Sequence, residues 1–187
     1  MAPWRIAAFL LAGGVALASA GCDRGRAGVS EGSMPRVLAA DPVSAGRYLV
    51  TVGACNDCHT PGWEEGGQVP EADWLVGSPI GWRGPWGTTY PSNLRLIVQS
   101  LSEDAFVQVL RTRKERPPMP WMNVNALSEA DARAIYRFIH ALGPRGEPMP
   151  AAVAPGEKPA TPYFDFTPQQ MERLPVGTSP GTATQRP

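Results

Sequence analysis

The stretch Cys55-Asn56-Asp57-Cys58-His59, read as CNDCH, decides how the rest of this 187-residue chain is read. Two cysteines three positions apart can hold zinc, shuttle a disulfide or carry a haem, and each use demands different surroundings. A structural zinc site needs four ligands, yet beyond this pair the chain offers His59 and His140 without finger spacing. A thiol–disulfide oxidoreductase places CxxC at the start of a helix that follows a strand. Here CxxC follows a helical pattern and precedes loops. The histidine directly after the second cysteine fits the third use. Two thiols form thioethers to the two vinyl groups of a porphyrin, and the next residue offers its imidazole to the iron as the proximal ligand.

Upstream, Asp41-Pro42 reads as an N-cap acid followed by proline at the first helical position, and Ala45, Tyr48, Leu49 and Val52 recur at helical spacing. A first helix over 42–54 should therefore deliver CNDCH at its end. Residues 23–40 are rich in Gly, Ser, Arg and Ala without apolar period and read as a flexible tether. Before them, Arg5 and an apolar run from Ile6 to about Ala20 form an export signal too short to span a membrane. Two endings compete. Ala18-Ser19-Ala20 is a cleavage site of the AxA kind, whereas Ala20-Gly21-Cys22 resembles a lipobox in which Cys22 is lipidated and anchors the protein to a membrane surface. Lipidation would give the third cysteine a role on an exported protein.

Downstream, residues 60–94 are rich in Gly, Pro and Trp and keep no period of 3.6 or 2. Trp63, Trp74, Trp82, Trp86 and Tyr90 are nevertheless too much aromatic surface for a solvated loop, and they imply either a small core or a flat apolar group beneath them. Ser102-Glu103-Asp104 opens a second helix with Phe106, Val109 and Leu110 on one face, ending near Lys114. Arg116-Pro117-Pro118-Met119-Pro120-Trp121 forbids helix and forces an extended turn. Ser128 opens a third helix with an apolar face of Ile135, Phe138, Ile139 and Leu142, and Gly143-Pro144 stops it. The expected fold is a small all-α domain of three main helices over 41–146 with irregular Gly/Pro/Trp-rich loops. Residues 1–21 are then the signal, 22–40 the tether, and 147–187 a Pro-rich, largely irregular tail. Within that tail only Tyr163-Phe164-Asp165-Phe166 could dock against anything.

If His59 holds iron, the other axial position separates electron transfer from oxygen or peroxide chemistry. By the helical period, His140 lies about 150° from the centre of its helix's apolar face and should meet solvent. Met119 is flanked by Pro118 and Pro120, so its backbone has little freedom to lose when the thioether is held toward an iron. Met122 is the neighbouring alternative, and either methionine could instead fill a gap in the core. The chain carries 17 Lys plus Arg against 17 Asp plus Glu, a formal net charge of zero, so no whole-molecule field favours nucleic acid.

CNDCHTPG after a helix with GRYLV, then GPWGTTYPSNL, RPPMPW and LSEADARAIYRFIHALGP, resembles the class I single-haem cytochromes c over residues 41–144. The likeness is greatest to the bacterial branch related to the cytochrome subunits of membrane-bound alcohol and sugar dehydrogenases. Those subunits usually carry three haem units, and this chain carries one CxxCH. The resemblance implies a small cytochrome c-like fold around one covalent haem c, with thioethers at Cys55 and Cys58 and axial ligands His59 and Met119. It also implies a one-electron carrier between a donor and an acceptor redox protein, free or as a relay subunit, rather than an enzyme. A glycine–aromatic contact between the terminal helices would fall at Gly46 and Phe138. Arg83, Arg95 and the indoles of Trp82 and Trp86 are candidate partners for the haem propionates, which need charge-assisted hydrogen bonds where they leave water. The alternative function is a haem enzyme or a sensor of gas or peroxide with an open sixth position.

Overall fold

The computed structural model describes Met34 and residues 36–66 and 68–173. The export segment, Cys22 and most of the tether lie outside these residues. Among the described residues no helix is long and apolar enough to cross a membrane. Helix α1 (Pro42–Val52) begins as its sequence dictates, with the Asp41 side chain accepting from the amides of Val43 and Ser44 at 2.9 Å. It stops two residues short of the expected end. Ala54 takes a left-handed conformation at φ 57°, and the break starts a separate helix α2 (Cys55–His59), so CNDCH is its own short element.

Helices α3 (Leu94–Ser100), α4 (Glu103–Thr112), α5 (Trp121–Asn125) and α6 (Glu129–Ala141) follow. Asn93, Ser102 and Ser128 cap α3, α4 and α6 by accepting from the amides of Leu96, Ala105 and Asp131. The core lies between α1, α3, α4 and α6 and is built from Val50, Trp74, Leu75, Val98, Phe106, Ile135, Phe138 and Ile139. Each such side chain contributes roughly 1.5–3 kcal/mol when fully buried. Helices α1 and α6 cross at Gly46. A Cβ there would overlap the Ala134 carbonyl oxygen and stand 2.7 Å from Phe138 Cβ, so the helices approach this closely only because the position is glycine.

The all-α expectation is overturned by a three-stranded mixed sheet, of order β2-β1-β3. Strand β1 (Gly81–Gly84) pairs antiparallel with β2 (Gly87–Thr89), and Trp82 lies opposite Thr89. Between them Pro85 and Trp86 turn the chain, and Gly87 takes φ +96°. Strand β3 (Tyr163–Asp165) comes from the tail and runs parallel to β1 on its other side, with Phe164 opposite Trp82. The strands are three or four residues long, with glycine at both ends of β1 and at the start of β2, and are too short to show an alternating pattern. The docking segment Tyr163–Phe166 thus completes a sheet, and Phe166 N donates to Arg83 O at 2.7 Å.

Candidate functional site

A cavity of about 360 Å³ opens where α2, α3, α4, α6, the hairpin and the loop after α4 meet. Its walls are mostly apolar, with Leu94 and Ile97 from α3, Phe106, Val109 and Leu110 from α4, and Ile135 and Ile139 from α6. Cys55, Cys58 and His59 all line it. The spacing is the cause: positions i, i+3 and i+4 share one face of a helical turn, and α2 supplies that turn.

The rest of α2 is locked to the chain beyond it. Asn56 is fully buried and its Oδ1 accepts from Thr60 Oγ1 at 2.8 Å, while the same Oγ1 accepts from Leu75 N at 2.8 Å. His59 O accepts from Gly77 N at 2.8 Å. His59 is buried, and burial lowers its pKa, opposed by a hydrogen bond to the Ser92 carbonyl oxygen. The contact is 2.7 Å from Nδ1, and a carbonyl can only accept, so Nδ1 carries the proton and Nε2 keeps its lone pair. Neither thiol is in a disulfide. Burial, then the charge of Asp57, pushes Cys55 up to about 11, and burial followed by Glu64 raises Cys58. Thiols so placed stay protonated, the reverse of the depressed values that activate a redox dithiol. Among the described residues no group of three or more His, Cys, Asp or Glu side chains is placed to hold a metal ion.

The remaining candidates separate clearly. Met119 lines the cavity, whereas Met122 is 85% exposed. His140 is exposed and stacks on Tyr136 at 5.5 Å between ring centres. Trp82 lines the cavity and stacks on Phe166 at 4.9 Å. Trp86 and Arg83 are not part of the lining, and Arg83 pairs with Asp165 at 3.5 Å and lies over the Tyr163 ring. Arg95 is also elsewhere. It is buried and donates to the carbonyls of Ala72, Trp74, Leu142 and Gly143, which ties the end of α6 to the chain before α3.

In their place the structure brings Arg113, Arg116 and Trp121 to the cavity. Trp121 Nε1 is buried with no hydrogen-bond partner, and the Arg113 guanidinium lies 5.5 Å over its ring. Arg116 and Trp121 flank the Pro-Pro-Met-Pro run directly and Arg113 lies four positions before it, so the proline signal that singled out Met119 pointed to this part of the chain. No family model, curated protein or solved structure matches the chain.

Proposed function

We propose that the protein is an exported monohaem c-type cytochrome that carries single electrons between a donor and an acceptor redox protein, held at a membrane surface through lipidated Cys22. The observation that carries the reading is that Cys55, Cys58, His59 and Met119 line one largely apolar cavity. The donor set fits haem c. Two unpaired thiols match two vinyl groups, and Nε2 of His59 is left with a free lone pair by the bond from Nδ1 to Ser92. The buried, unpartnered Nε1 of Trp121, with Arg113 over its ring, suits a carboxylate of the porphyrin. Bound there, the haem supplies an iron that passes between ferrous and ferric states one electron at a time.

Within that reading Cys55 and Cys58 retain the cofactor through every cycle, and Ser92 O orients the His59 ring. Met119 would offer its thioether to the iron as a second protein ligand, an arrangement that favours electron transfer over the binding of small gases. The apolar residues of α3, α4 and α6 keep water away and so favour the less charged ferrous state. The test is the optical spectrum of protein matured in a host that attaches c-type haem, wild type against Met119→Ala. The wild type should show a far-red sulfur-to-ferric-iron band and refuse carbon monoxide when reduced, and the variant should lose the band and bind the gas. A wild type with high-spin ferric iron and ready carbon monoxide binding would sink the electron-carrier reading in favour of an open site.

A further inference from the structure

We infer that Arg116 is a positioning residue for Met119, and that through it the C-terminal strap, residues 147–166, belongs to the machinery that holds the methionine in place. The inference rests on the haem reading above. Met119 sits in a stretch, residues 113–120, that forms no helix or strand. Its own neighbours do little to place it: Trp121 N donates to Met119 O at 2.8 Å, which fixes the main chain locally but not the loop's position against the cavity.

That position is set by ties to distant residues. Arg116 Nη1 donates to Trp86 O at 3.1 Å, in the hairpin turn, and to Val153 O at 3.0 Å, in the strap. Thr89 Oγ1 donates to Pro117 O at 2.8 Å. The loop is therefore anchored to the hairpin and the strap three and two residues before Met119, while α5 holds its two ends, through Asn125 Nδ2 on Arg113 O at 3.2 Å and the amides of Asn123 and Val124 on Pro120 O. A guanidinium donating to two carbonyls is a stronger tie than a neutral donor would make. The strap in turn is fixed to the hairpin without Arg116, since Thr88 and Val153 exchange hydrogen bonds of 3.0 and 2.9 Å.

Gly87 makes the junction possible. Its φ of +96° disfavours other residues, and a Cβ there would overlap Val153 O and come within 3.0 Å of Arg116 Nη1. Arg116, Gly87 and Val153 form one knot, and Arg116 is the part of it that lines the cavity.

The experiment compares wild-type holoprotein with Arg116→Met, Arg116→Lys and Gly87→Ala, reading the sulfur-to-ferric-iron band, carbon monoxide uptake by the reduced protein, and far-ultraviolet circular dichroism. Arg116→Met should keep its covalent haem and helical signal but lose much of the band, with the fraction binding carbon monoxide rising about tenfold, as loss of a charged hydrogen bond implies. Gly87→Ala should do the same by pushing the strap off the hairpin, and Arg116→Lys, which keeps the charge but not the planar guanidinium, should fall between. Wild-type behaviour in both Arg116→Met and Gly87→Ala would overturn the inference. Should either variant fail to fold, amide exchange in the wild type decides: the hydrogen-bonded amides of Trp121, Asn123 and Val124 should open together with those of Thr88 and Val153, and independent opening overturns it. A wild type without the band would be a failure of the methionine-ligated electron-carrier reading itself, visible before any variant is made.

Discussion

The wall that carries Cys55, Cys58 and His59 and the wall that carries Met119 line one cavity, and they are held in opposite ways. The first is five consecutive residues in a single helical turn, braced by Asn56, Thr60, Leu75 and Ser92 within 40 positions of one another. The second is an irregular loop whose anchors, Trp86, Thr89 and Val153, lie some 30 positions away on either side of it. Residues bound within a helical turn keep their mutual geometry wherever the turn goes. A loop borrows its geometry from whatever it is tied to, so on the methionine side remote ties place the main chain itself, whereas on the histidine side the distant Ser92 carbonyl orients one ring on a turn that is already formed.

The largest disruption should come from breaking the frame under the first wall. Gly46→Val drives a branched side chain into the Ala134 carbonyl and Phe138, forcing α1 off α6 and taking α2 with it. Backbone lies in the way, so the cost should be about 3 kcal/mol or more, read as a lowered urea midpoint. An unchanged midpoint would mean the helices can slide apart without loss, and the first wall would not depend on that crossing. Thr89→Val is milder and strikes only the second wall. It removes the hydroxyl that donates to Pro117 O and should cost about 1 kcal/mol. The expected signature is faster amide exchange around Met119 with no change at Cys58 and His59. Equal acceleration at both walls would erase the distinction between them.

The same contrast explains what was readable in the sequence. The CNDCH motif, the caps at Asp41, Ser102 and Ser128, and the apolar face of α6 are local patterns legible from spacing, whereas α2 as a separate helix was not expected and the face read for α1 was wrong in part, since Tyr48 and Val52 are exposed and Val50 is in the core. Met119, singled out by the local stiffness of its flanking prolines, lines the cavity. The sheet was not legible, because its third strand pairs Gly81 with Tyr163, far along the chain, and its first two are too short to alternate. Helix α3 was missed for a related reason: two turns after an aromatic loop give little period, although Asn93 in front of Leu94 was a usable cap signal. Arg95 misled because an arginine beside an apolar run suggests an anion as readily as it suggests carbonyls. Only coordinates show that four carbonyls surround it. The tail's contribution was hidden most completely, since Val153 matters through its main-chain oxygen, which no side-chain pattern reports.

The smallest effect concerns pH and separates the helical frame from both walls. A side-chain hydrogen bond from Ser44, then the amide bonds at the start of α1, hold the Asp41 carboxyl below its ordinary 3.8. A depressed folded-state value means that the unfolded chain takes up the proton first. The contribution of Asp41 is therefore complete above the ordinary carboxylate value and is lost as pH falls through the lower folded one. Asp41→Asn keeps a cap of similar quality but cannot titrate. Urea midpoints of the two proteins should differ slightly near neutrality, in favour of aspartate at the positive end of the helix dipole, and the gap should close as the pH drops below the ordinary carboxylate range. A gap that stays constant to low pH would show that the cap acts through hydrogen bonding alone. On the proposed haem reading, neither result should alter the far-red band at neutral pH, because Asp41 touches the frame and neither wall.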